Sequence, residues 1–144
     1  MQEVIPIIAQ QFGPVVTRLV DAAERSISII VFDWRFYPTQ LSNPVSLFNA
    51  AIARAAQRGV SIKALVSSAG LVEQLRKMGV EARQVHTGKL LHSKLLIVDD
   101  VKVVIGSHNY TQNGFSLNHE ASVLVTMPEA QNLFVSYFQN LFGL

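Results

Sequence analysis

Two hydrophobic periods alternate along the chain. Across residues 7–25, Ile8, Phe12, Val15, Val16, Leu19, Val20 and Ala23 recur at helical spacing and predict a first helix. Ser26 to Asp33 is a β-branched run and predicts a buried strand. Trp34 to Asn43 has no period and reads as a loop. Asn43-Pro44 then sets an N-cap followed by proline at the first helical position, and Gly59 stands where a helix-ending glycine belongs. The helix between them is Ala-rich, which suits close packing on a sheet. Val60 to Val66 predicts a strand, Leu71 to Lys77 a short helix ending at Gly79, and Val80 to Val85 a short strand. Leu90 to Val98 and Lys102 to Ile105 predict a hairpin closed by Asp99-Asp100-Val101. Glu120 to Thr126 is a last strand, and Pro128 opens a helix carrying Leu133, Phe134, Tyr137, Phe138 and Leu141. This order predicts one α/β domain over residues 1–144, with a mixed central sheet sandwiched between helices on both faces.

Composition sharpens that picture in two ways. Of 144 residues, 49% are hydrophobic and only 15% charged, with a mean hydropathy of +0.29. The core is therefore large for the chain's size, or apolar surface is covered by a partner. No apolar run approaches the roughly 20 residues of a transmembrane helix, so no membrane span is expected. The chain has no cysteine, which excludes disulfides and cysteine-ligated zinc. Met1 to Pro6 shows neither a positive n-region nor a small-residue cleavage site, so a cytoplasmic setting is expected; a trimmed mature form would be periplasmic. The net charge is +2 with dispersed Lys and Arg, too weak a bias to identify a nucleic-acid binder.

The chemistry-bearing residues concentrate in His92-Ser93-Lys94, Asp99 and Gly106-Ser107-His108-Asn109. On a strand over 90–98, His92 and Lys94 project from one face, roughly 6.6 Å apart, where a phosphate meets an imidazole and an ammonium together. Alone, such a pair is an edge histidine and a solvated lysine. Gly106 permits close backbone approach, while the Ser107 hydroxyl and Asn109 amide are donors for non-bridging phosphate oxygens. Asp99 lies roughly 23 Å along the strand from His92 and points to the other face, so a structural role at the hairpin turn is expected. Glu120, in Asn118-His119-Glu120, opens the last strand, where a carboxylate is placed to hold the His92 Nδ1–H. His86, His92, His108 and His119 match no compact metal-ligand spacing, so neither a metal nor another cofactor is expected. His108 and His119 flank the motif and are expected to line the cleft. Trp34 and Arg35 begin a loop of aromatics and a guanidinium that suits stacking on bases and pairing with phosphate, and equally suits a dimer contact or a lid.

The spacing H-x-K-x4-D-x6-G-S-x-N resembles the signature of the phospholipase D superfamily of phosphodiesterases. The likeness extends upstream through the strand from Ser26 and the helix ending Arg58-Gly59-Val60, and it is to the small, single-motif bacterial endonucleases. The resemblance implies a phospholipase D-like fold and metal-independent phosphodiester hydrolysis through a phosphohistidine. It also supports Glu120, since family members often carry N-x-E near this distance. One imidazole cannot readily be nucleophile and protonated acid in the same step, and larger members carry the motif twice. A single motif therefore implies a homodimer that shares one site. Nucleic acid is the expected substrate, with phospholipid headgroup hydrolysis and a non-catalytic nucleic-acid-binding module as alternatives.

Overall fold

The β-branched run from Ser26 forms an interior strand of a seven-stranded sheet, next to the central one. The computed structural model describes residues 3–144; Met1 and Gln2, part of the N-terminal segment read above, lie outside the described residues. The strands are β1 Glu3–Ile8, β2 Ser26–Ile30, β3 Ser61–Val66, β4 Glu81–Gln84, β5 Leu95–Val98, β6 Lys102–Gly106 and β7 Ala121–Thr126. The helices are α1 Phe12–Asp21, α2 Pro44–Gln57, α3 Ala69–Lys77 and α4 Leu133–Phe142. The sheet order is β1-β7-β6-β5-β2-β3-β4. β2, β3 and β4 are parallel, linked by α2 and α3, whereas β5, β6, β7 and β1 each pair antiparallel with their neighbours.

Alternation along β2 builds two cores, because successive side chains leave opposite faces of a strand. Ile27 and Ile29 join Val16 and Val20 of α1, Phe48 and Ile52 of α2 and Leu75 of α3. Ile30 joins Leu95, Ile97 and Val103 beneath Phe138 and Phe142 of α4. The mixed sheet with helices on both faces is therefore as expected, three helices on one side and α4 on the other. The α2 boundaries follow the sequence signals: Asn43 Oδ1 accepts from Val45 N at 2.9 Å, Pro44 opens the helix, and Gly59 takes φ +91°.

Three elements differ from expectation. Ile7 and Ile8, read as the start of the first helix, instead end strand β1, and α1 begins at Phe12 after a short 3-10 turn at Ala9–Gln11. Periodicity over Ile8 to Phe12 is local, and pairing of Val4 with Val125 and Ile7 with Ser122 overrides it. The strand expected from Leu90 begins only at Leu95, because β2 ends at Ile30, directly opposite, and the preceding residues lose that partner. Pro128 is followed by a 3-10 turn, and α4 starts after Asn132, whose Oδ1 accepts from Phe134 N at 3.1 Å.

Candidate active site

The ends of four strands converge at one edge of the sheet. β2 and β6 finish there and β5 and β7 begin there, which brings Phe32, the 92–94 segment, the 106–109 segment and Glu120 to a common level. Gly106 makes the closest passage. A Cβ at that position would collide with Ser122 and the Ala121 carbonyl, so only glycine lets β6 run this near β7. The following residues cross to the β2 side: Tyr110 N donates to Asp33 O at 3.0 Å, and Arg35 N donates to Tyr110 O at 2.9 Å.

His92 and Lys94 meet above the Phe32 ring. The Lys94 ammonium lies 3.2 Å from His92 Nε2, 3.5 Å from Nδ1 and 3.0 Å from the His92 carbonyl. The Phe32 centroid is 5.7 Å from that of His92 and 6.0 Å from Lys94 Nζ, within cation–π range. Burial holds the Lys94 pKa below the usual lysine value, and the Glu120 carboxylate pulls the other way. His92 itself is exposed. Glu120 accepts from Ser107 Oγ at 2.5 Å and from Asn118 Nδ2 at 3.0 Å. Asn109 Oδ1 accepts from Asp33 N at 3.2 Å, which leaves its Nδ2 as a donor. The imidazole and the ammonium are thus in contact, and the Asn109 amide stands on the segment that follows β6 at the same end of the strands.

The family model described as the cardiolipin synthase, phospholipase D-like domain matches residues 16–142. The chain belongs to this phospholipase D-like family. A Rickettsia typhi protein named phospholipase D is 32% identical over 104 residues, 68% of this chain and 50% of that one. The mouse mitochondrial cardiolipin hydrolase is 26% identical over 130 residues, covering 86% of this chain and 55% of its own. The chain spans about half the length of the curated relatives it matches. The crystal structure of Nuc, a phospholipase D family member from Salmonella typhimurium, superposes with a TM-score of 0.82 at 22% identity, over 99% of this chain and 95% of Nuc. That likeness establishes the phospholipase D-like fold.

Within this phospholipase D-like edge, several residues stand differently from the sequence reading. His92 and Lys94 lie before β5, not on it, and their close contact comes from the turn of an unpaired segment. The Glu120 oxygens accept from Ser107 and Asn118, and among the described residues no hydrogen bond joins Glu120 to His92. The Ser107 proton is likewise committed to Glu120, and its oxygen also accepts from Ala121 N at 3.1 Å. Trp34 is 4% exposed and donates its indole N–H to Asn49 Oδ1 at 2.7 Å, which removes it from reach of a base. Arg35 remains exposed beside Asp33 at 3.2 Å, and that carboxylate raises its pKa further. His119 is exposed next to Glu120.

His108 is 1% exposed and does not line the cleft. It stacks on Phe12 with centroids 4.1 Å apart. Its Nε2–H donates to Ala9 O at 2.9 Å, and Nδ1 accepts from Ser122 Oγ at 2.7 Å. Burial keeps its pKa below the ordinary imidazole value, against the pull of the Ala9 bond and of Glu120. Asp99 sits at the opposite edge of the sheet from His92. Its carboxylate accepts from the N–H groups of Glu24, Arg25 and Ser26 at 2.7–3.1 Å. Sequence reasoning passed over Phe32; an aromatic side chain closing a β-branched run at a strand end was its one signal. Among the described residues, no helix is long and apolar enough to cross a membrane.

Proposed function

We propose that the protein is a metal-independent phosphodiesterase that cleaves nucleic acid through a covalent phosphohistidine at a site shared by two copies of the chain. The observation that carries this reading is the Lys94 ammonium 3.2 Å from a ring nitrogen of an exposed His92, in a motif that the chain holds once. A phosphate oxygen entering beside Lys94 takes over the ammonium's hydrogen bond and frees the imidazole lone pair. That ring nitrogen attacks phosphorus, a P–N bond forms, and the P–O bond to the leaving group breaks. His92 of the partner subunit protonates the departing oxygen. Water then attacks phosphorus with that second histidine taking its proton, and the P–N bond breaks. Lys94 and the Asn109 amide carry the charge on the non-bridging oxygens, and Glu120 supports the Lys94 charge and orients Ser107. The exposed Arg35 is placed to pair with a neighbouring phosphate of the strand.

Hydrolysis of phospholipid headgroups is the second reading, favoured by relatives named phospholipase D and cardiolipin hydrolase. Incubation with labelled DNA, RNA and phosphatidylcholine vesicles in excess EDTA separates the two. Cleavage of an oligonucleotide that survives chelation and weakens with salt is the expected result. Full loss on chelation, restored by one divalent metal, overturns the mechanism. Turnover of phosphatidylcholine alone moves the assignment to the second reading.

A further inference from the structure

One buried polar side chain stands apart from the core around it. The inward face of α2 is made by Val45, Phe48, Ala51, Ile52 and Ala55, and Asn49 is the one amide among them, 7% exposed. Burying an amide is costly unless its polar ends are bonded. Both ends of Asn49 are bonded. Oδ1 accepts from the Trp34 indole N–H at 2.7 Å, and Nδ2 donates to Arg35 O at 3.1 Å. These partners lie in the loop after β2, which α2 thereby grips at two successive residues. The other edge of the loop is bonded to the segment that carries Asn109. Asp33 N donates to Asn109 Oδ1 at 3.2 Å, Tyr110 N to Asp33 O at 3.0 Å and Arg35 N to Tyr110 O at 2.9 Å. The Trp34 and Tyr110 rings meet edge-on, with centroids 5.2 Å apart.

We propose that Asn49 is a positioning residue for phosphodiester cleavage, acting through Trp34 and Arg35 on the side-chain amide of Asn109. The inference rests on the reading above in which that amide binds a non-bridging oxygen. An Asn side chain can present either its carbonyl or its NH2 group to a ligand, and its partners decide which. The Asp33 N–H claims Oδ1 and so turns Nδ2 outward as the donor. At 3.2 Å that bond is at the long end of N–H···O distances, so it tolerates little movement of the loop. Asp33 lies between two anchors. On one side the Phe32 carbonyl accepts from Ser67 Oγ at 2.8 Å; on the other, Asn49 holds Trp34 and Arg35. Loss of the second anchor leaves a buried indole N–H and a carbonyl unpaired, and the loop must shift to bring them to water. The Asn109 amide then loses its fixed orientation, and with it the preorganisation that charge stabilisation requires. Packing alone does not call for an amide at 49, since its buried neighbours on α2 are all apolar.

A double-mutant cycle tests this route. Wild type, Asn49→Ala, Asn109→Ala and the double variant are compared by melting temperature and by kcat and KM on bis(4-nitrophenyl) phosphate, a bare phosphodiester. Ile52→Val, at a fully buried α2 position with an apolar side chain, controls for lost stability alone. Asn109→Ala should lower kcat about a hundredfold, the effect of removing one charge-stabilising donor. Asn49→Ala should lower kcat about tenfold with KM within about twofold of wild type, while the control lowers the melting temperature and keeps kcat. In the Asn109→Ala background the Asn49 change should cost no more than about twofold further, because effects that run through one group do not add. If Asn49→Ala does not fold, Trp34→Phe takes its place in the cycle, since it removes the indole N–H and keeps an aromatic ring. Losses that multiply in the double variant, or a wild-type kcat in Asn49→Ala, overturn the positioning role and leave the Asn109 reading standing. A wild-type kcat in Asn109→Ala refutes the role of that amide, and the proposal with it.

Discussion

Two carboxylates near the motif do different physical work. Glu120 accepts from Ser107 and its charge raises the Lys94 pKa, whereas Asp99 closes a turn at the other end of β5. Glu120→Gln is expected to cut the single-turnover rate roughly tenfold to a hundredfold with little change in melting temperature. Asp99→Asn should leave that rate within about twofold while lowering stability by about 1.5–3 kcal/mol, the range for hydrogen bonds to a charged group. The reverse pattern would exchange the two roles. Asp99 also carries a pH signature. Burial pushes its pKa up, but the N–H groups of Arg25, Ser26 and Glu24 and the Arg25 charge outweigh that, and the net shift is downward. A carboxyl lowered in the folded state stabilises above its unfolded pKa and loses that contribution as pH falls through the folded value. The stability gap between wild type and Asp99→Asn should therefore be full at neutral pH and close below about pH 4.

At the scale of elements, the start of α4 is fastened by one side chain. Asn132 caps it through Phe134 N and also donates to Asp100 O at 2.8 Å, tying the helix start to the β5–β6 turn. That turn has φ +53° at Asp99 and +60° at Asp100, the geometry of a tight hairpin reversal. Asn132→Ala removes both bonds and is expected to cost about 1–2 kcal/mol, read as a lower urea midpoint with an unchanged slope. A midpoint equal to wild type would mean that α4 is held by its apolar face and by the Tyr137 and Phe142 hydrogen bonds without the cap. The hairpin, α2 and the strands around β2 were legible because each carries its own local signal. β1 was not, since only its partner β7 distinguishes a strand there from a helix turn.

For the whole molecule, the shared-site reading makes a stoichiometric prediction. Wild type refolded with an equal amount of His92→Ala should form pure wild-type dimers as about a quarter of the total, by random twofold pairing. Mixed dimers hold one imidazole and should stall after forming the adduct, so activity per total protein falls to about a quarter of wild type. Activity of about half is the outcome for independent monomers and would sink the model.

Residue spacing alone pointed to the family and to a mixed sheet between helices, because these depend on local period and fixed offsets along one chain. The tertiary structure decided which groups are free to act. Trp34 and His108 look like ligand contacts in sequence, yet Asn49, Phe12 and Ser122 enclose them, and burial is a property of distant partners. Phe32 became the floor of the site only because β5 begins opposite the end of β2. Glu120 met Ser107 rather than His92 because Gly106 lets β6 and β7 close to contact, and no sequence offset encodes that approach.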